Sequence, residues 1–305
     1  MSDHAKPIYV EIFIRGGMED LWRLTQTPQV HQRWDLRFSE IQYLPKNSEA
    51  EPQKFLYSTR IGFGLAIRGR GESIGTREGH DGQRSSALKF WSNDPKSLIE
   101  EGSGYWKYVP AEDGVRFLTL YDYRVRFGIV GRILDRLVFR PLMGWATAWS
   151  FDRLRLWIER DISPENSAHK SMIHGLARIS AAFVWIYHGL VPKLLFRSPD
   201  EVRMMVGSGI PESALRTCVT LAGWLEIAIG LSVLVFWKPR WPLLITIILM
   251  VLALLGVAIN SPSYLVGAFN PVTLNLLVIS TCVIGLLAGS KLPAAANCRR
   301  KPPTS

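Results

Sequence analysis

Fifty consecutive residues, from Trp241 to Ser290, contain no Asp, Glu, Lys, Arg or His, and this run constrains the fold more than any other feature. A helix that crosses the hydrocarbon core of a bilayer needs about 20 predominantly apolar residues. The run is long enough for two such helices, divided by the Pro- and Gly-containing segment from Asn260 to Asn270. It therefore excludes a fully soluble protein.

Two further apolar segments precede this run, so we predict four membrane-spanning helices. They cover residues 174–192, 217–237, 241–259 and 271–289. Arg178 and Lys193 flank the short charge-free centre of the first span, and we expect both cations to snorkel to the membrane surface. Asn270-Pro271 is a strong helix start, because Asn caps a helix and Pro suits the first helical position.

The distribution of Lys and Arg around the four spans predicts their orientation. Eight such residues lie near the span ends on the side of the termini, and four lie in the loop between the first two spans. Cytoplasmic flanks carry the excess of Lys and Arg. The N-terminus also lacks the basic-then-apolar pattern of a signal peptide. We therefore expect an integral protein of the cytoplasmic membrane with both termini in the cytoplasm.

Glu226 lies inside the second span, where an acidic side chain costs about 2.5–3.5 kcal/mol on an insertion scale. Gly223 and Gly230 lie on the same side of this helix, and small residues mark close helix interfaces. We therefore expect Glu226 to face the bundle interior. His188 and Asn275 are predicted at similar depths, one or two turns from Glu226. The cluster has two interpretations: a quinone, proton or small-molecule site, or a hydrogen-bonded set that fixes helix packing.

The first 165 residues have a different character, with 24 Lys and Arg against 22 Asp and Glu. The formal net charge of +10 therefore lies mostly in the apolar half, which excludes a compact basic nucleic-acid binder. Short segments alternate apolar and polar residues, as in half-buried strands. We predict about six antiparallel strands and a long amphipathic helix near residues 131–159, bent or broken at Pro141. A sheet that grips a helix encloses a cavity suited to hydrophobic ligands.

Aromatic and basic residues of the predicted strands and short helices are candidates for this cavity. The predicted lining residues are Trp34, Arg37, Trp91, Tyr105, Phe117 and Tyr121. His31 and Asp35 beside Trp34 offer an acid–base pair. We favour the alternative in which Trp34 anchors the short helices and the charges face water.

Two other patterns give weak support to catalysis or metal binding. Gly71–Gly75 matches GxSxG, but it lies in an extended strand, whereas a nucleophile elbow needs a strand–turn–helix. His169 and His174 are five residues apart and lack a third ligand, so we predict no metal site. Residues 130–145 alternate basic and apolar side chains, which favours either contact with an anionic membrane leaflet or the gripped helix with solvated arginines.

Two families resemble this sequence. Residues 8–160 resemble the START-like polyketide cyclase/dehydrase superfamily (SRPBCC, helix-grip fold) in the opening strand, the segment MEDLWRLTQTPQVHQRWD and the long terminal helix. Residues 172–290 look like a DoxX-like membrane domain in FVWIYHGLVPKLLF, GWLEIAIGL and AFNPVTLNL. The first resemblance implies binding of a lipid or other apolar molecule. Relatives of DoxX include a subunit of a thiosulfate–quinone oxidoreductase, which implies a quinone link.

These observations predict an α+β helix-grip domain over residues 1–165, an all-α four-helix transmembrane domain over 166–292 and a disordered basic tail over 293–305. The favoured function is a membrane protein whose cytoplasmic START-like domain binds an apolar small molecule (lipid, quinone or polyketide-like). One alternative is a quinone-linked redox or proton-handling subunit that uses Glu226 and a redox partner subunit. Another is a cyclase-type enzyme in the soluble cavity. We expect membrane lipids as partners, and no cofactor is evident apart from a quinone.

Overall fold

The alternating segments of the N-terminal half form one seven-stranded antiparallel sheet. The computed structural model describes residues 6–62, 64–79, 81–207 and 209–303. The strands are β1 Ile8–Ile14, β2 Glu40–Tyr43, β3 Lys54–Gly62, β4 Leu65–Glu78, β5 Arg84–Trp91, β6 Ile99–Ala111 and β7 Gly114–Val125. Their spatial order, β1-β7-β6-β5-β4-β3-β2, is a meander from β2 to β7 with β1 beside the last strand.

Helices lie before and after this meander. Between β1 and β2 are α1 Met18–Gln26 and α2 Pro28–Trp34; after β7 come α3 Gly128–Leu134, a π-helical turn Asp135–Phe139 and α4 Arg140–Arg160. The long helix is thus interrupted at the π turn. Pro141 lies in the first turn of α4, where its missing N–H costs little.

The core of this unit lies between α4 and one face of the sheet, which we call the inner face. Phe117 of β7 stacks on Phe151 of α4 with ring centroids 4.4 Å apart. Trp34 of α2 is fully buried, and its indole N–H donates to the Leu24 carbonyl at 2.9 Å. The prediction that Trp34 anchors the short helices is therefore confirmed. The N-terminal part is therefore an antiparallel sheet with helices packed on its inner face.

Residues after the last membrane helix return to this unit. The chain divides into two compact units, one of residues 1–167 with 293–305 and the other of residues 168–292. Glu11 and Arg299 exchange two backbone hydrogen bonds of 2.9 Å. The buried carboxylate of Asp152 accepts from the Ala294 amide and the Asn297 side chain, both at 2.8 Å.

The structure differs here from the predicted disordered tail. Strand β1 is a sheet edge, and edges carry unpaired backbone groups that another segment can cover. Asp152 supplies a second anchor on α4. Both partners are distant in sequence, so the composition of the tail did not reveal them.

The second unit is helical. Its elements are α5 Pro164–His188, which begins in the first unit, a π-helical segment Gly189–Leu195, α6 Pro199–Gly207, α7 Glu212–Val235, α8 Trp241–Asn260, a 3-10 turn Pro262–Val266 and α9 Pro271–Ala288. Within the described part of the chain, three helices are long and apolar enough to cross a membrane: α7, α8 and α9. The predicted cap on α9 is confirmed, because the Asn270 side chain accepts from the Thr273 amide at 3.0 Å.

The two cations expected to snorkel are instead buried in protein. The Arg178 guanidinium donates to the carbonyls of Val233 at 2.7 Å, Phe236 at 2.8 Å and Pro239 at 2.6 Å. The last carbonyls of a helix have no partner within the helix and carry partial negative charge. The C-terminal end of α7 therefore replaces the membrane surface as the partner of Arg178. Lys193 is held by carboxylates, as described below.

Candidate functional site

Four of the six predicted cavity residues lie together in the core of the first unit. Trp34 and Phe117 are fully buried, and Tyr121 is nearly so. The Arg37 side chain, from the turn after α2, is also buried and lies over the Tyr121 ring, 5.4 Å from its centroid.

Trp91 and Tyr105 lie on the opposite face of the sheet. Their neighbours Phe90 and Trp106 pack with the inner-face core, and successive strand residues point to opposite faces. Tyr105 is 38% exposed, and Trp91 lines an open groove of about 550 Å³ over β2–β5. The prediction that these two residues line the cavity was therefore wrong. Aromatic residues occur on both faces of this sheet, so residue type alone does not show which face a strand residue occupies.

An ion network joins α2 to the following turn. The two Asp35 carboxylate oxygens accept hydrogen bonds from the Arg37 side chain at 2.6 and 2.9 Å, from the Arg37 amide at 3.1 Å and from His31 at 2.9 Å. Such bidentate pairing replaces the water lost on burial. The prediction that these charges face water is therefore wrong.

The surroundings fix the charge states in this network. Burial by itself raises the pKa of Asp35, but the adjacent Arg37 charge and the bonds from Arg37 and His31 outweigh it and hold that pKa below its usual range. Burial lowers the pKa of His31 despite the opposing effect of Asp35. At neutral pH the network is therefore a carboxylate, a guanidinium and a neutral imidazole whose Nε2–H donates to Asp35.

Polar contacts continue from Arg37 into α4. Arg37 interacts with Tyr121, whose hydroxyl lies 2.9 Å from the Thr147 hydroxyl. Thr147 donates to the Met143 carbonyl at 2.8 Å, so it accepts from Tyr121. Burial raises the pKa of Tyr121, which keeps it a neutral phenol. The Arg37 guanidinium and the Tyr121 hydroxyl therefore form a fixed polar pair on an inner face that is rich in aromatic residues.

Two glycines of β6 allow aromatic residues to pack closely on the inner face. A Cβ on Gly102 would lie 2.5 Å from the Phe90 ring, and one on Gly104 would lie 2.4 Å from Tyr121 Cβ. Aromatic side chains therefore lie flat across these glycines. Gly102, Gly104, Phe90 and Leu88, which pairs with Gly104, are only half-buried although they lie on the core side. These four residues form a half-buried apolar strip beside Tyr121.

Neither catalytic pattern in this unit has the geometry that its chemistry needs. The GxSxG segment, Gly71–Gly75, lies inside β4, with Ser73 paired to Leu88 of β5. It is therefore not a strand–turn–helix elbow. Both oxygens of Asp35 are already bonded, which favours a structural role for the His31–Asp35 pair.

The second unit contains a buried cluster centred on a lysine, which we call the Lys193 cluster. The Lys193 ammonium lies 3.1 Å from Glu226 and 3.1 Å from Glu201. Its side chain is 7% exposed, and each glutamate side chain is 19% exposed. His188 is within electrostatic range of Lys193 and Glu201. Sequence reasoning missed Glu201 and misplaced Lys193, since nothing local connects them to Glu226.

Asn275, the third residue of the predicted cluster, lies elsewhere. Its side-chain amide donates to the Met250 carbonyl of α8 at 3.3 Å. The structure therefore brings Glu226 and His188 to the same region through Lys193 and Glu201. Asn275 instead joins α9 to α8.

Close backbone packing creates the Lys193 cluster. A Cβ on Gly189 would lie 2.4 Å from the Gly223 carbonyl oxygen, and one on Gly223 would lie 2.9 Å from the Gly189 oxygen. The π-helical segment therefore packs directly on α7. One Lys193 ammonium therefore faces two carboxylates. The second oxygen of Glu226, Oε2, is buried and has no hydrogen-bond partner among the described residues. An unpaired buried acceptor is rare in proteins.

Comparisons with known proteins agree with this architecture. The DoxX-like family matches residues 182–283, which include Lys193, Glu201 and Glu226. The Bacillus subtilis (strain 168) membrane protein YndG is 49% identical over 185 residues, which are 60% of this chain and 69% of YndG. This chain belongs to the YndG family. The YndG relationship, the DoxX-like domain and helices α7–α9 together establish it as a membrane protein.

Solved structures are similar to the N-terminal part of this chain. A STAR-related lipid transfer protein from Xanthomonas axonopodis is 14% identical, covers 50% of this chain and 85% of its own, and has a TM-score of 0.39. A START superfamily protein from Mycobacterium smegmatis is 12% identical, covers 51% and 99%, and has a TM-score of 0.36. The di-domain ARO/CYC StfQ of the steffimycin pathway is 17% identical, covers 50% and 52%, and has a TM-score of 0.36.

Proposed function

We propose that this protein is a membrane-anchored binding protein whose START-like domain holds an apolar small molecule with a polar end. The half-buried inner-face strip of Leu88, Phe90, Gly102 and Gly104 supports this function. Pockets for small molecules are mostly apolar with a few placed polar groups. Arg37 and Tyr121 supply those groups here, and Asp35 holds the guanidinium in place. A lipid, a quinone or a polyketide-like molecule has the matching combination of an apolar body and an acceptor oxygen.

We place the binding domain in the cytoplasm, at the side where the chain both enters and leaves the membrane. Residues before α5 and after α9 belong to one unit, which supports an even number of membrane crossings. Three apolar helices alone give an odd number. Helix α5 is therefore our fourth span, and its exposed side chains Leu176, Ile179 and Phe183 suit a lipid environment.

Matched variants on one strand test the ligand proposal. Leu88→Trp fills the inner-face strip, whereas Ala87→Trp places the same ring on the opposite face of β5. The full-length protein is purified in lipid nanodiscs, and its bound small molecules are extracted and quantified by mass spectrometry. We expect Leu88→Trp to lower the bound ligand about tenfold, the effect of about 1.4 kcal/mol. Ala87→Trp should leave it unchanged. Equal retention by both variants would contradict the proposal, as would a wild-type protein without ligand.

A second function is supported by the unpaired Glu226 oxygen. We propose that the Lys193 cluster binds a proton or the head group of a quinone, because intramembrane ionisable groups are functional candidates. Glu226 Oε2 can accept a hydroxyl hydrogen of a quinol. Electron transfer would need a redox partner subunit, since this function assigns only binding to the chain itself.

Glu226→Gln and Glu201→Gln separate the two functions. Both remove one carboxylate from Lys193, but only the first removes the unpaired oxygen. If the second function holds, extractable quinone falls in Glu226→Gln and persists in Glu201→Gln and Leu88→Trp. An amount of extractable quinone that is unchanged in Glu226→Gln would exclude the Lys193 cluster as the quinone site.

A further inference from the structure

The segment from α3 into α4 is apolar on two opposite sides. Its inner side carries Phe139 and Met143, which pack against the core. Its outer side repeats large apolar residues at helical spacing, and the most exposed of them are Ile129, Val130, Ile133, Leu137, Val138 and Leu142. We call these six residues the outer apolar face. An apolar side of a helix is normally covered by another part of the structure, and the core covers only the inner side of this segment.

These side chains are strongly exposed. Val130 is 72% exposed and Leu137 is 71% exposed. Scattered surface hydrophobics are ordinary, but a contiguous apolar patch marks an interaction surface. The outer apolar face is continuous over three helical turns, so it has the character of an interaction surface.

The charges around this face are positive. Arg132 and Arg136 lie on the same segment and are exposed. From residue 126 to 151 the sequence contains four arginines and one acidic residue, Asp135. That carboxylate is buried and bonded to Arg140 at 2.8 Å and to the Tyr123 hydroxyl at 2.8 Å. Beside the outer apolar face, the exposed charged side chains of the segment from residue 128 to 142 are therefore cations.

An anionic bilayer surface has the complementary chemistry. Amphipathic helices with apolar and basic residues lie at the boundary between headgroups and acyl chains. Helices α7–α9 hold the whole chain at a membrane, so this occupant is always within reach. We propose that the outer apolar face inserts into the interface of that membrane, with Arg136 at the lipid phosphates. This proposal does not depend on which small molecule the domain binds.

Spin-label depth measurements on the full-length protein test this contact. The native cysteines Cys218, Cys282 and Cys298 are replaced by Ala, and one nitroxide is attached at Val138→Cys. Ile74→Cys on β4 is the matched control, because both native side chains are 55% exposed. The labelled proteins are placed in nanodiscs of phosphatidylglycerol and phosphatidylcholine. Collisions with oxygen and with a water-soluble nickel complex are measured.

We expect the label at position 138 to collide mainly with oxygen and the label at position 74 mainly with nickel. Nickel access at 138 equal to that at 74 would overturn the proposal. Low access to both reagents would also overturn it, because it would show cover by protein. The Arg136→Glu variant, and discs without phosphatidylglycerol, should each raise nickel access at 138 about twofold or more, because each removes an attraction between a basic residue and the anionic surface. No change in either case would exclude anionic lipid.

Discussion

The Asp35 network of the first unit and the Lys193 cluster of the second differ in how completely their charges are paired. In the first unit, both oxygens of Asp35 are bonded, by Arg37 and by the neutral His31. In the second unit, one Lys193 ammonium serves Glu201 and Glu226, and Glu226 Oε2 has no partner within the described ranges. The first cluster has the organisation of a structural network, and the second that of a site that can take up another group.

This difference has an energetic basis. A buried charge is tolerated when hydrogen bonds replace its lost hydration, and it is costly when a partner is missing. Arg178 illustrates a third solution, because backbone carbonyls at the end of α7 and His174 take the place of a carboxylate. In the completely paired Asp35 network, removal of any partner should lower the stability of the first unit. In the incompletely paired Lys193 cluster, one carboxylate can be neutralised at little cost in stability.

The largest effect is expected at Arg37. Arg37→Met leaves the Asp35 carboxylate buried without its ionic partner, so the first unit should lose about 3–5 kcal/mol. Arg33→Met is the control, because the Arg33–Glu165 pair is nearly half exposed and should contribute about 1 kcal/mol or less. Hydrogen exchange measured by mass spectrometry on the full chain reports each unit separately. Equal losses in the two variants would show that Asp35 and Arg37 are not a buried pair.

Lys193 comes next. Lys193→Met leaves Glu201 and Glu226 without a cation and should cost the second unit about 2 kcal/mol or more. Adding Glu226→Gln to that variant should restore part of the loss, whereas Glu226→Gln alone should change stability by about 1 kcal/mol or less. Thermal unfolding of the purified protein in nanodiscs gives these differences. A double variant no more stable than Lys193→Met would argue against the 3.1 Å pairing.

A glycine contact sets the geometry of the Lys193 cluster. Gly223→Ala places a Cβ 2.9 Å from the Gly189 oxygen and from Leu194, so it should destabilise the second unit by about 1–3 kcal/mol. Gly256→Ala in α8 meets nothing within 4 Å and should be neutral or slightly stabilising, since Ala favours a helix. The same thermal unfolding assay compares them, and an equal response of the two variants would contradict the close packing of α7.

The smallest effect concerns pH. Because burial lowers the folded-state pKa of His31, its contribution to stability is fully present above the unfolded pKa of about 6.5 and is lost as pH falls below it. Asp35, whose pKa is also lowered, adds a loss only below about pH 4. The free energy of unfolding, measured with urea and tryptophan fluorescence, should therefore decrease from pH 7.5 to pH 5.5. His31→Gln should flatten that trend, and an unchanged slope would show that His31 does not titrate in this way.

The sequence predicted those parts of the fold that depend on local constraints. The apolar runs located α7, α8 and α9 because a bilayer imposes its thickness on each helix separately. Alternation located six of the seven strands but not the short strand β2, and the Asn270 cap marked the start of α9. These features need no knowledge of distant partners.

Long-range pairing limited the rest of the prediction. Trp91 and Tyr105 were assigned to the wrong face because register depends on neighbouring strands. Lys193 was expected at the membrane surface because Glu226, 33 residues away, is not visible as its partner in the sequence. The segment after residue 293 was expected to be disordered because its anchor, Asp152, lies more than 140 residues earlier. Glu226, by contrast, was located by residue type, because an acidic group in an apolar span is itself a signal.

The most direct test of the binding account is mass spectrometry of small molecules retained by the full-length protein in nanodiscs. A fragment ending at residue 165 would lack the segment that pairs with Glu11 and Asp152, so point variants of the whole chain are preferable. We predict an apolar, oxygen-containing molecule that is retained by the wild type, by Ala87→Trp and by Glu226→Gln, and is lost in Leu88→Trp. Its loss in Glu226→Gln with retention in Leu88→Trp would contradict the account and place the ligand at the Lys193 cluster.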